Sequence, residues 1–400
     1  MLHSYLFSNV YSFREEAVVS LLLNQREPES NWWASDAIER RVAKVMAVIG
    51  ANASGKTSLL NALAFIHWFI TASFDGKPDD LLPFQSHASS DAGTPSVFEI
   101  ELSADLDGTP RIWRYRLQAT RARVLEESLH VRHERERFVF VRTWLPSSNT
   151  YAVKEQGFGY VPLEAVNGRP NASLIALGAQ YGLPLAQKIL NTSYLRTNIT
   201  EIGKERTNDE TLMRAASHFA GQEAQKSSMV GLLKNWDLGL QDVQLREIET
   251  RSLDGTIKKV LAPWGVHAMR TGGRMELNFR AESSGTQMAF VLLSRLLPVL
   301  EGGGVAVIDE FESDMHPHML APILDLFANP STNPHQAQLL FTSHSMEVLH
   351  LLPKSHVTLV EKDEFNESQA WRLDEVKGIR SDDNYYAKYM AGAYGAVPRL

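Results

Sequence analysis

Two rhythms of apolar and polar residues alternate along the chain, and each change of rhythm marks an element. Residues 43–50, "AKVMAVIG", are almost unbroken apolar positions closed by glycine, which predicts a buried strand. From Lys56, "KTSLLNALAFIHWFI" has helical length and spacing, so the local order is strand, glycine loop, helix. A period of two then appears in "SVFEIEL" (96–102), turns at "DLDG" (105–108), and resumes in "RIWRYRL" (111–117) and "RFVFVRTW" (137–144). That pattern predicts an antiparallel meander. From about 172 to 238 the period lengthens: "ASLIALGAQYGLPLAQKIL" and "DETLMRAASHFAGQEAQKSSMVGLLKNWDLGL" read as helices. Strands return near 240–261, followed by a helix after "ESSGT" (282–286) and a strand "GVAVID" (304–309). A helix from about 317 and strands "AQLLFTS" (337–343) and "SHVTLVEK" (355–362) complete the series. No linker separates independent units. The chain therefore divides into 1–170, with the glycine loop and the meander, a helical insertion at 171–240, and 241–400.

Length agrees with that division, since 400 residues exceed the size at which one core keeps growing. Hydrophobic residues at 44% and charged residues at 22% fit a soluble globular protein. There is no cysteine, which excludes disulfides and thiolate metal sites. The start, "MLHSYLFSNVYSF", has no basic stretch leading into a long apolar run, and no signal peptide is read there. The segment 58–70, "SLLNALAFIHWFI", is interrupted by Asn61 and His67 and reads as too short to cross a bilayer. A cytoplasmic protein with no membrane contact is expected. A net charge of −7, from 40 basic and 47 acidic residues, argues against a basic surface overall and leaves room for a local basic groove.

The glycine loop brings the first chemistry. "GANASGKT" (50–57) has glycine, four residues, then glycine, lysine and threonine, the spacing of a phosphate-binding loop. Amides of such a loop wrap the β-phosphate, Lys56 reaches the β- and γ-phosphates, and the Thr57 hydroxyl binds magnesium. A strand before it and a helix after it favour this reading over a chance match. "GVAVIDE" (304–310) supplies an acidic partner: a strand ending in Asp309 delivers that carboxylate to magnesium, and Glu310 can polarise the attacking water. In "LLFTSHS", His344 falls just past a strand end, where a donor could touch the γ-phosphate. The helix start "ESSGTQMAF" (282–290) reads plainly as a capped N-terminus. Its serines and glycine also leave amides bare, which suits an anion.

Taken in this order, these residues resemble the ABC-type ATPases, and within them the branch of structural-maintenance-of-chromosomes and OLD-family ATPases. The resemblance spans nearly the whole chain: "LFSNVYSF" at the start, "GANASGKTS", "ESSGTQ" as a degenerate signature, "VIDEFESDMHP" as Walker B and D-loop, and "FTSHS" as the switch. The chain is similar in particular to stand-alone prokaryotic AAA-type ATPases of phage-defence operons, the RloA/AbiLi and PARIS AriA kind. Those end as this chain does, in "VEKDEF" and then "YMAGAYGAVP". The resemblance implies an α/β fold: an ABC-ATPase head, with a P-loop NTPase sheet and an antiparallel β meander, carrying an inserted helical subdomain. It implies ATP and Mg2+, with Gly50, Asn52, Ser54, Gly55, Lys56, Thr57 and Ser58 around the nucleotide and Thr57 and Asp309 on the metal. Lys56, Glu310 and His344 take the catalytic roles, and Gln85 in "LLPFQSH" takes the Q-loop place. Ser283 and Gly285 would cap ATP held by a second subunit, with Ser284 as the alternative alignment of the signature serine. The implied assembly is a homodimer or higher homo-oligomer that controls a separately encoded effector, a nuclease.

Three further features of the sequence admit other readings. His316 and His318, with Asp314, could suggest a metal site, but "MHPH" falls where the D-loop belongs. "LVEKDE" (359–364) resembles the first acidic motif of a TOPRIM nuclease, yet only 36 residues follow Glu364, too few to complete one. Residues 111–142 contain nine arginines against four glutamates, with Arg114 and Arg116 on one strand face. A solvated meander face is the plain reading, and contact with DNA or RNA is the alternative. A nucleic-acid clamp ATPase in repair is accordingly the second function, and the ATPase subunit of a membrane transporter is a poorly supported third.

Overall fold

The computed structural model describes residues 1–91, 93–132, 134–200, 203–251 and 257–398. A six-stranded sheet stands at its centre, in the order Leu195–Thr197, Val305–Ile308, Gln338–Thr342, Val45–Ile49, Val357–Lys362, Ser368–Arg372. The first five strands run parallel and the last is antiparallel. All five residues of Val45–Ile49 are buried, as the unbroken apolar run requires of a strand covered on both faces. Successive side chains of a strand point to opposite faces, and here they enter two different cores. Met46, Val48, Val307, Leu340 and Val360 join one core with Leu59, Leu63 and Ile66 of the helix Lys56–Ala72. Val45, Ala47, Ile49, Ala306, Ile308 and Phe341 join the other with Phe290, Leu293 and Leu296 of the helix Ser284–Gly302 and Ile323 of Leu320–Ala328.

The meander extends further than the alternating runs alone indicate. Seven antiparallel strands lie in the order Thr150–Glu155, Glu136–Leu145, Arg123–Arg132, Pro110–Thr120, Ser96–Asp105, Leu2–Ser8, Ala17–Ser20. The turn expected at 105–108 is made by Gly108, whose amide donates to Asp105 Oδ1 at 2.7 Å. A three-stranded sheet of Leu240–Arg251, Ile257–Ala268 and Arg274–Asn278 forms a separate ribbon.

The span 171–240, read as one helical insertion, holds two pairs of helices with a core strand between them. Leu195–Thr197 pairs in parallel with Val305–Val307 at the edge of the central sheet. Before it, Leu174–Gln180 and Pro184–Thr192 pack into the meander-side core. After it, Asp209–Ala220 and Glu223–Asn235 pack against the opposite core, beside the helix Ser284–Gly302. A three-residue strand between helical stretches is too short to register as a period of its own. The stretch 58–70, read as too short for a bilayer, belongs to a helical segment, Lys56–Asp75, that passes by length and composition for a membrane span. Its apolar face, including Leu59, Leu63, Ile66 and Phe69, is buried in the first core.

Candidate active site

The phosphate-type loop hangs between the strand Val45–Ile49 and the helix that opens at Lys56. Gly50 has to be glycine because a Cβ there would stand 2.1 Å from the Val360 carbonyl oxygen of the neighbouring strand. Ser368, on the sheet's antiparallel edge strand, donates its hydroxyl to the Ser54 carbonyl at 2.7 Å and pins the loop from below. Lys56 is buried and donates to the Gly50 and Ala51 carbonyls at 3.0 and 2.9 Å, so it curls over its own loop. Burial pushes its ammonium pKa down, opposed by Asp309, Glu310 and Glu312. Ser54 Oγ is buried without a partner. Residues 52–58 face an open cleft whose other walls are Asp309, Glu310, Thr342, His344 and Lys362.

Asp309 ends the acidic strand with both carboxylate oxygens engaged. Thr57 Oγ1 donates to Oδ2 at 2.9 Å, and Thr342 Oγ1 donates to Oδ1 at 2.6 Å. Thr342 also accepts the Glu310 amide at 2.6 Å, so one hydroxyl orients both acids. It can do so because its strand lies between the acidic strand and the loop strand. Asn198, just past the edge strand, grips the Asp309 backbone twice: its Nδ2 donates to the carbonyl at 2.8 Å, and its Oδ1 accepts the amide at 2.7 Å. The two residues expected on the metal are thus within one hydrogen bond of each other. Hydroxyl and carboxylate oxygens suit magnesium, and amides with a lysine at a helix start suit a phosphate. The orphaned Ser54 hydroxyl fits the same polar ligand.

Glu310 has a left-handed backbone, φ 46°. Its Oε2 accepts from Lys204 Nζ at 2.9 Å and from Ser313 Oγ at 3.1 Å, and the Lys204 bond is the foremost reason its carboxyl pKa is lowered. His344 Nε2 lies 3.7 Å from Glu310 Oε1. The loop bearing His344 is set by Glu312, whose Oε1 accepts the His344 and Ser345 amides at 2.5 and 3.1 Å.

Two expected groups fall outside this cleft. Ser283 caps the helix Ser284–Gly302 in the ordinary way, its hydroxyl accepting the Thr286 amide at 3.2 Å. Gly285 sits against the loop after the acidic strand, where a Cβ would be 2.7 Å from the Asp314 carbonyl oxygen. Neither residue lines the cleft of its own chain. Gln85 does not line it either: buried Leu82 and Phe84 anchor its loop, and Gln85 itself is exposed, its carbonyl accepting the Tyr11 amide at 2.8 Å. The side chain that does hold the acidic strand is Asn198. Asn198 and Lys204 carry no sequence signal of their role; Glu312 and Ser313 were legible only as part of "VIDEFESDMHP", and Thr342 only as part of "FTSHS".

Elsewhere, several arginines of the meander face carboxylates. Arg111 pairs with Asp107, Arg114 with Glu136, Arg116 with Glu99 and Arg132 with Glu101. His316 and His318 meet edge to face, and among the described residues no group of three or more His, Asp or Glu could hold a metal ion. "LVEK" forms part of the parallel strand Val357–Lys362, and Glu361 accepts the Ala396 amide at 3.0 Å.

The loop and the acidic strand both fall within one family match. A family described as "AAA domain, putative AbiEii toxin, Type IV TA system" matches residues 45–350, from the loop strand past His344. Among solved structures, the SMC head domain from Thermotoga maritima is similar over 93% of this chain and 98% of that one, at 12% identity and a TM-score of 0.41. No curated protein matches the chain. Since the family match covers well over half of the chain and holds both the phosphate-type loop and the acidic pair, the chain belongs to this AAA-domain ATPase family.

Proposed function

We infer that the chain binds and hydrolyses ATP as an ABC-type switch, closes head-to-tail with a second copy, and controls a separately encoded effector, a nuclease toxin, in antiphage defence. The observation that carries the ATPase part is the 2.9 Å hydrogen bond from Thr57 to Asp309, with Glu310 next along the chain on the same cleft. Lys56 and the loop amides would hold the phosphates, and Thr57 and Asp309 would hold magnesium, which when bound neutralises phosphate charge. Glu310 would take the proton of the attacking water, and His344 lines the cleft beside it. The defence role rests on the similarity to RloA/AbiLi and PARIS AriA and on the toxin named in the family description. Cytoplasmic location, free of any membrane, belongs to the same reading. A nucleic-acid clamp draws less support, because five of the nine meander arginines that suggested it, Arg142 with Glu127 among them, are paired with carboxylates. ATP-stimulated, salt-dependent DNA binding would restore it.

Two substitutions test the chemistry. Lys56→Ala should abolish nucleotide binding. Glu310→Gln should bind ATP and lose turnover by about 10²- to 10⁴-fold, the usual contribution of a general base. Wild-type turnover by Glu310→Gln would remove Glu310 from that role.

A further inference from the structure

Glu310 is held by a residue that also answers to another part of the molecule. Lys204 Nζ bonds Glu310 Oε2 at 2.9 Å and Ser313 Oγ at 2.5 Å, and Ser313 in turn donates to Glu310 at 3.1 Å. A carboxylate with an ammonium and a hydroxyl on the same oxygen is held in one orientation, and loosening that grip lets it turn toward water. Lys204 closes the hairpin Ile199–Thr200 and Gly203–Lys204, directly after Asn198. The next residue, Glu205, is gripped by two arginines. Arg295, on the helix that starts at Ser283 and Ser284, bonds one of its carboxylate oxygens at 2.5 Å, and Arg214 of Asp209–Ala220 bonds the other at 2.5 Å. Both Arg295 and Glu205 are largely withdrawn from solvent, which strengthens the pair relative to an open surface bridge. Thr207 adds a contact to Met288 of the same helix at 3.3 Å. The signature-like helix is therefore joined to Glu310 through Arg295, Glu205 and Lys204, each contact being an ion pair or a single peptide step.

We propose that Lys204 is a restraint on Glu310 tied to the signature helix through Glu205, so that engagement of Ser283 and Gly285 by a second copy of this chain frees the base in the first. This rests on the hydrolytic reading of Glu310. It adds to that reading a positioning residue and a route by which assembly reaches the cleft, since a helix moved at its start carries Arg295 with it and draws on the segment that ends in Lys204. A ligand biases such a device only through unequal affinity for its two arrangements, and here the unequal contact is the one at the helix start.

The test follows ATP turnover of the full-length protein from dilute to concentrated solution, together with backbone hydrogen exchange of residues 309–316 without nucleotide. Lys204→Met should raise the dilute turnover by about threefold at unchanged KM, the scale of one partly exposed ion pair, and should speed exchange at 309–316. Lys204→Arg keeps a cationic donor and should behave as wild type in both measurements. Glu205→Gln should keep the dilute rate and lose the rise with concentration, because the restraint stays while its link to the helix is cut. Lys204→Met combined with Glu310→Gln should be as inactive as Glu310→Gln alone. A Lys204→Met protein that is folded yet turns over ATP no faster than wild type, while Glu310→Gln is inactive, overturns the restraint and leaves Glu310 as the base. If Lys204→Met fails to fold, Lys204→Gln is read against the same outcomes. Undiminished turnover by Glu310→Gln overturns the hydrolytic reading itself, and the restraint with it.

Discussion

Asp309 owes its placement to hydroxyls and an amide more than to opposite charge. Thr57 and Thr342 take one carboxylate oxygen each, and Asn198 fixes the backbone on either side. Buried groups satisfied in this way stay in one position, which a metal ligand needs. His356 shows the opposite use of burial. It ends the turn Lys354–His356 that leads into the strand Val357–Lys362, its Nε2 3.2 Å from the Trp32 carbonyl oxygen, and burial pushes its pKa from 6.5 down to about 4. A histidine held neutral in the fold binds its proton more readily once unfolded. Its contribution to stability is therefore complete above pH 6.5 and drains away as pH falls toward 4, by about 3 kcal/mol at the full shift. Urea unfolding at pH 7.5 and 4.5 should show a smaller acid loss in His356→Gln than in wild type. Equal acid losses in the two proteins would assign the sensitivity to other groups.

At the scale of elements, the central sheet converts strand order into a site. Side chains of alternate parity feed separate cores, so the strands are clamped from both faces and their C-terminal ends can carry polar residues without loss of packing. The loop after the acidic strand then meets the start of the helix Ser284–Gly302, where Gly285 packs against the Asp314 carbonyl. Gly285→Ala would place a methyl group 2.7 Å from the Asp314 carbonyl oxygen, and either the helix start or the loop has to yield. Nucleotide affinity of the phosphate loop should stay within about twofold, while turnover falls about tenfold or more, since small displacements of a reacting arrangement are costly. Parallel titrations of binding and turnover check this. Full turnover in Gly285→Ala would show that the approach has no bearing on catalysis.

In the whole molecule, Ser283 and Gly285 do not line the cleft that holds Lys56 and Asp309. Under the proposed head-to-tail pairing, Ser283 and Gly285 of a second copy would reach each cleft, in the symmetric manner usual for homodimers. Lys56→Ala and Ser283→Arg, each inactive alone, should regain about a quarter of wild-type turnover when mixed in equal amounts. Random pairing makes half of the dimers mixed, and one of two clefts is then intact. Verified mixed dimers without any turnover would count against shared sites. The proposed effector is tested at the same scale, by purifying the tagged chain with its neighbouring gene products, as wild type and as Glu310→Gln, with and without ATP. A bound neighbour whose amount changes with nucleotide is expected, because a switch releases a partner only if its two states bind unequally. A chain that protects cells with no copurifying neighbour in any nucleotide state would favour the clamp.

What could be read from the sequence alone is what contiguous residues accomplish together. "GANASGKT", "GVAVIDE" and "FTSHS" each lie within a single strand end or turn, where spacing along the chain equals spacing in space, so the glycine loop after a strand, the acidic pair at a strand end and His344 past the next one were legible. The meander was legible for the same reason, since a period of two is a local property. The tertiary structure alone decided which distant residues serve those motifs. Asn198 reaches Asp309 across 111 residues and Lys204 reaches Glu310 across 106, because Leu195–Thr197 happens to be the strand beside Val305–Ile308. Gln85 had a suitable composition and context yet lies outside the cleft, because its loop is anchored by Leu82 and Phe84. Strand order is set by the burial of whole faces in two cores, a sum over many residues that no short stretch records.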